Sequence, residues 1–194
     1  MALLTAFGRL GRRPWLGLVI LSATLGFRSP QEPQPLEYRV KAAYLLNFTR
    51  YVEWPAGAFA SPQAPIVLCT LGQDPFGDQL ERTVAGRTSQ GRPIALREVD
   101  GATTARGCHV VFLTYEEWRR RPDVLPALRG RGALVVGETQ EFAVDGGVIS
   151  FVTVDQTIRF AVNLSAAGAE GLRVSSRMLA LAMTVYGHAE VSAP

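Results

Sequence analysis

The side chains able to carry chemistry are few. The chain holds two cysteines, Cys69 and Cys108, and two histidines, His109 and His188. Cys108-His109 is the one adjacent couple. Without the paired spacing of a zinc site, a metal centre is not expected. Nucleophilic catalysis is not expected either: there is no G-x-S-x-G, and neither histidine stands in a recognisable triad context. The turn Gly72-Gln-Asp-Pro-Phe-Gly77 lacks G-x-G-x-x-G. Asp74 there would set a carboxylate where a phosphate belongs, and Pro75 removes an amide. The sequence therefore predicts a non-enzymatic protein with no cofactor and no metal.

Three polar residues form a candidate constellation: Arg159 and Asn163 on one side of a strand, and Arg173 ahead of a final helix beside Ser175 and Ser176. They could gather around a small anionic or polar ligand, or contact a partner. The alternative is a chain-end cap at Asn163 and solvated arginines. Glu116-Glu117 reads as a pair of first-turn carboxylates facing a helix dipole, and Arg119-Arg120-Arg121 as a solvated helix face. His109 reads as an alternating strand side chain, and Asn47 as structural glue that requires a hydrogen-bond partner if it is buried.

The elements that must position these residues follow from periodicity. Val40–Pro55 is the first long amphipathic stretch, with Val40, Tyr44, Leu45, Phe48, Tyr51 and Val52 in one arc at about 100° per residue. Leu46, Thr49, Arg50 and Glu53 fall mainly on the wetter side, and Pro55 closes the helix. Residues 65–72 form a short apolar run, a buried strand. Asp74 as N-cap with Pro75 then predicts a helix over about 76–84. Strands follow at 92–99, with Ile94, Leu96 and Val99 inward, at 108–114 and at 133–137, with a helix over 116–128 before the last. Asp155-Gln156 joins two further strands as a β-hairpin. Ser165 is placed to cap a helix, and Val174, Met178, Leu181 and Val185 recur at the spacing of a closing helix to about Tyr186. The fold class is α/β: a mixed sheet, mainly of parallel Rossmann-like strands with a C-terminal hairpin, and helices on both faces.

At 194 residues and 47% hydrophobic, the chain has material for one substantial core. The sequence pI near 9.2 suggests a basic protein. Arg9, Arg12 and Arg13, however, precede the apolar run 15–27, the layout of a secretory signal or an uncleaved membrane anchor. Without residues 1–27, Lys+Arg falls from 20 to 17 against 17 acids, which removes the electrostatic case for nucleic-acid binding. Pro30, Pro33 and Pro35 make 28–37 a linker, 38–187 the domain and 188–194 a tail. In an oxidising compartment Cys69 and Cys108 either pair or remain two separate buried thiols. A doubly wound strand order would make their strands neighbours.

A set of ordered motifs carries a resemblance. Lys41-Ala42-Ala43-Tyr44-Leu45, Asn47-Phe48 and Val52-Glu53-Trp54-Pro55 are followed by Asp74-Pro75-Phe76-Gly77 and Cys108-His109. Phe142-Ala143 with Gly146-Gly147, Arg159-Phe160-x-x-Asn163, Ala166-Ala167, Gly171-Leu172 and Ser175-Ser176 continue the order. Over about residues 38–185 this resembles the YfiR family. The resemblance implies a periplasmic α/β domain that binds and restrains an inner-membrane diguanylate cyclase. Cyclic-di-GMP and biofilm formation would then be adjusted in response to redox or envelope stress. It implies that Cys69 and Cys108 stand where the family carries a bridging pair, and that homodimers form in some members. A second pair found late in some members has no counterpart here. Related domains also occur beside histidine kinases, so a small-ligand sensor serving such a receptor is the second expectation.

Overall fold

The computed structural model describes residues 36–187. The signal-like segment 1–27, most of the linker 28–37 and the tail 188–194 lie outside them. The order begins α1 Leu36–Tyr51, β1 Val52–Glu53, β2 Ile66–Leu71, α2 Asp78–Val84, β3 Thr88–Ser89, β4 Arg92–Val99 and β5 Val110–Leu113. It continues α3 Tyr115–Arg120, α4 Val124–Leu128, β6 Leu134–Glu138, α5 Gln140–Val144, β7 Ile149–Val154 and β8 Thr157–Asn163. It closes with α6 Leu164–Ala169, β9 Arg173–Val174, α7 Ser176–Leu179 and β10 Thr184–Tyr186.

Eight strands form one sheet in the order β10-β8-β7-β6-β5-β2-β4-β3. The run β4-β2-β5-β6-β7 is parallel throughout, β7 and β8 make the antiparallel hairpin, and β10 returns parallel to β8. The expected mixed α/β sheet is therefore present, with its parallel core in the doubly wound order. Parallel strands bury both faces, and each face has its own apolar layer. On one, Leu45, Phe48, Leu68, Phe112 and Phe160 pack under α1 and α2. On the other, Cys69, Val111, Trp118, Leu125 and Phe142 pack under α3 to α5.

Several local expectations are corrected. The first helix ends at Tyr51 rather than at Pro55. Ser175 N–H donates to Tyr51 O at 2.9 Å, and Gln90 Nε2 donates to Thr49 O and Val52 O at 2.7 Å. These donors take carbonyls at the end of the helix, and Val52–Glu53 turns to pair with β9. Its buried side is also wider than the wheel gave, since Leu46 and Thr49 are buried and Asn47 is exposed. Asp74 accepts from Phe76 N at 3.0 Å and shapes a turn, so α2 opens only at Asp78, after Gly77 at φ 54°. The helix expected over 116–128 breaks into α3 and α4 at Arg121-Pro122, because the residue before a proline is driven out of helical geometry. Of the three inward residues of β4 only Val99 is buried, and Leu96 is 36% exposed.

The largest correction lies at the C-terminus. No single helix spans 173–186; Thr184–Tyr186 pairs with Ala161–Asn163 instead. Thr-Val-Tyr is a β-favouring triplet, and the apolar spacing around it coincided with a helical period without encoding one.

Cys69 and Cys108 form a disulfide, their Cα atoms 5.9 Å apart. Cys69 lies in β2, and Cys108 stands just before β5, the neighbouring strand in the sheet. The bridge spans 39 positions, and closing such a loop in the unfolded chain contributes about 2–4 kcal/mol. Denaturant titration should lose stability of that order when reductant is added. Thiol counting on the unreduced, unfolded protein should find none in the native product; two free thiols would contradict the bridge.

Candidate functional site

In parallel α/β sheets the ligand crevice forms beyond the carboxyl ends of the strands, where the strand order reverses. Here that point lies between β2 and β5. A cleft of about 210 Å³ opens there between Gln73-Asp74, Thr114, Glu116, Glu117, Arg120 and Tyr38 of α1. Gly72 closes β2 at φ +82°, and a β-carbon on it would overlap the Glu117 carboxylate. Glu117 is buried and ion-paired to Arg120 at 3.0 Å. A carboxylate therefore occupies the space over the first strand–helix turn that a phosphate site must leave to its ligand. Thr114 is already committed as N-cap, its Oγ1 accepting from Glu117 N at 3.1 Å.

Next to this cleft lies the most heavily buried charge cluster among the described residues. Lys41 of α1, its side chain 4% exposed, is ion-paired with both Glu37 and Glu138. Glu138 also accepts from Tyr115 N at 2.8 Å. The ammonium lies 4.8 Å from the centre of the Tyr38 ring. Burial first, then the charge of Glu138, holds the Tyr38 phenol well above its ordinary range, so it stays protonated. With both carboxylates on it, Lys41 fastens α1 to the end of β6 and is not free for substrate.

His109 stands before β5, at the opposite end of the parallel strands, in a different kind of cluster. Its Nδ1 accepts from Val67 N at 3.0 Å, which fixes the proton on Nε2, and Nε2 donates to Ala58 O at 3.1 Å. The ring stacks on Phe59 at 4.4 Å, and the Arg92 guanidinium covers the far side of Phe59 at 3.8 Å. Burial, then the Arg92 charge, pushes His109 below its ordinary 6.5. It anchors the loop 55–65 and is more than an alternating strand side chain.

The three residues of the sequence-derived constellation are not joined by any hydrogen bond or ion pair. Asn163 Nδ2 donates to Ala143 O at 2.8 Å, and its Oδ1 accepts from Ala166 N at 2.9 Å. It thereby caps α6, the role expected of Ser165, and holds the end of α5 as well. Arg173 faces Glu53 at 3.8 Å across the β1–β9 pair, its side chain 86% exposed. Arg159 is exposed on β8. Arg121, expected in a solvated face, donates to Asp100 O and lies 3.7 Å from Glu117.

Sequence reasoning passed over Lys41 and Glu138 as chemistry, although a signal existed. Lys41 shares a helical stripe with Leu45 and Phe48, and Glu138 ends an otherwise apolar buried strand. A lysine in a buried stripe requires an acid. Among the described residues no group of three or more His, Cys, Asp or Glu is placed to hold a metal. No helix there is long and apolar enough to cross a membrane.

Truncating Lys41→Ala would leave the buried Glu138 carboxylate uncompensated and should cost about 3 kcal/mol in denaturant titration. The double change Lys41→Met with Glu138→Gln should recover most of that loss. For His109 the depressed pKa sets the sign. The unfolded chain binds a proton first as pH falls through 6.5, so stability present above that pH should decline below it. Wild type should lose more stability between pH 7.5 and pH 5 than His109→Gln, and equal losses would remove His109 from the acid response.

Comparison with solved structures finds a conserved domain protein of Vibrio cholerae O1 biovar El Tor, 10% identical with a TM-score of 0.49, covering 62% of this chain and 54% of that one. It also finds the ABC domain in complex with L-Trp from Streptococcus pneumonia, 14% identical with a TM-score of 0.46, covering 61% and 54%. The chain thus matches about half the length of either. The YfiR/HmsC-like family model matches residues 38–183, and the chain belongs to the YfiR/HmsC-like family.

Proposed function

We propose that this protein is an exported, non-enzymatic regulator that binds and restrains an inner-membrane signalling protein, a diguanylate cyclase in the first instance. On this reading 1–27 directs export or anchors the chain, 28–37 is a spacer, 38–187 is the binding domain and 188–194 a tail. Family membership supports the partner class. The crevice supports binding over turnover, since the lysine beside it is held by two carboxylates and the Thr114 hydroxyl on its wall caps a helix. A disulfide suits an oxidising compartment.

The observation that carries the reading is the β10 edge of the sheet. β10 is the terminal strand among the described residues. Leu181 and Met183 just before it are 67% and 37% exposed, and Val185 within it is 41% exposed. An open strand edge with an apolar flank can accept a partner strand, backbone hydrogen bonds giving affinity and the flank giving selectivity. Arg159 lies on β8, the strand paired with β10, and is the member of the sequence-derived trio best placed to meet such a partner. Asn163 is committed to its two caps.

Deleting the gene should raise cellular cyclic-di-GMP, and unchanged levels would reject the cyclase as partner. The full chain carrying Leu181→Asp and Val185→Lys should reproduce the deletion while accumulating normally. Full restraint by that variant would move the docking surface away from β10.

A further inference from the structure

The opposite side of the sheet carries a second, independent feature. A crossover helix in this fold ordinarily covers the strands it joins, but α2 has 7 residues and β4 has 8. At ~1.5 Å per helical residue against ~3.3 Å per strand residue, α2 reaches less than half the length of β4. The uncovered part is a cleft of about 570 Å³, within the range of roughly 300–1,000 Å³ typical of small-molecule sites. Ile94 and Leu96 form its floor above the buried Leu68, and Leu80 and Val84 its α2 wall.

Asp74, Glu81 and Glu98 also line this cleft. None of the three makes an ion pair with a described residue. Arg97, the one cation among the lining residues, is turned to the sheet's other layer, where its Nη2 donates to Arg106 O at 2.6 Å and to Cys108 Sγ at 3.0 Å. Burial first, and then the neighbouring Glu98 charge, raise the Asp74 carboxyl against the Phe76 and Gly77 backbone donors that lower it. The carboxylates do not converge as a metal-binding group. Their complement is a cation with an apolar body, not a bare divalent ion.

We propose that the cleft between α2 and β4 binds a small amphipathic organic cation, an ammonium group on an aliphatic or aromatic body. The charge lies among Asp74, Glu81 and Glu98, and the body lies on Ile94 and Leu96. This site is separate from the β10 edge and stands whether or not that edge docks a partner.

The test is calorimetric titration of the full chain with 4-phenylbutylamine, 4-phenylbutan-1-ol and 4-phenylbutyrate. The amine should bind about tenfold more tightly than the alcohol, and the carboxylate should not bind. Two partly exposed ion pairs account for a ratio of that size. The variant Glu81→Gln with Glu98→Gln changes two side chains with no hydrogen-bond partner in the fold, so it should unfold at the wild-type temperature. In it the amine should lose most of its advantage over the alcohol, with Asp74 still in place, and the alcohol's own binding should not change. Added salt should weaken the amine alone. Failure of the amine to bind, equal affinities for amine and alcohol in the wild type, or unchanged amine binding in the variant would each overturn the proposal.

Discussion

The seating of α1 on the sheet is the contact on which the other elements depend. It is 16 residues long, whereas every other described helix has 7 or fewer. Helices that short do not persist in water alone, so they form as crossovers and caps on a sheet that α1 has already covered. Ala42, Leu45 and Phe48 are at most 2% exposed. Phe48 sits between Phe151 and Phe160, with ring centres 5.7 and 5.2 Å away. At ~1.5 Å per residue the helix also runs the length of the strands. Lys41 ties its beginning to the carboxyl end of β6, and Gln90 and Ser175 take the carbonyls at its other end. Movement of α1 would disturb both ends of the sheet together.

That dependence explains what could be read from the sequence. The parallel strands are short apolar runs between breakers, and burial on both faces leaves little freedom for such segments. Their positions and the Asp155-Gln156 hairpin were legible for that reason, whereas the doubly wound order entered only as a condition on the cysteine pairing. The helices were less so. Pro122 split a continuous apolar pattern, and Gly77 delayed a helix that Asp74-Pro75 announced. Val174, Met178, Leu181 and Val185 kept a helical period across a segment that ends as β10. In that segment the decisive term is the long-range pairing of β10 with β8, which no local window contains.

The candidate surfaces were hidden for a related reason. Arg159, Asn163 and Arg173 stood out because polar residues in patterned segments attract attention, yet Asn163 is occupied by caps and Arg173 by Glu53. The groups that do cluster, Lys41 with Glu138 and His109 with Phe59, are far apart in the chain and meet only through the sheet. Cleft and edge alike arise where an element is too short to cover its neighbour. α2 leaves Leu96 of β4 uncovered, and among the described residues no strand covers Val185 of the three-residue β10. Such shortfalls are properties of lengths compared across the fold. No residue type announces them.

The disulfide links the two questions of stability and response. Cys69 is fully buried and Cys108 is 5% exposed, within the layer beneath α3 and α4. Thiol–disulfide exchange requires a thiolate to approach one sulfur along the bond axis, and the packed layer blocks that approach. Reduction must therefore await local opening of the segment before β5, so its rate reports the free energy of that opening as well as the reactivity of the sulfurs. Arg97 bridges this segment to β4 through Arg106 O and Cys108 Sγ, and β4 also forms the floor of the carboxylate-lined cleft on the other face. Opening at the bridge would therefore release the strand whose far side holds Ile94, Leu96 and Glu98. A ligand that stabilises that floor must, by linkage, oppose whatever opening disrupts it, and with it the reduction of a disulfide it never touches.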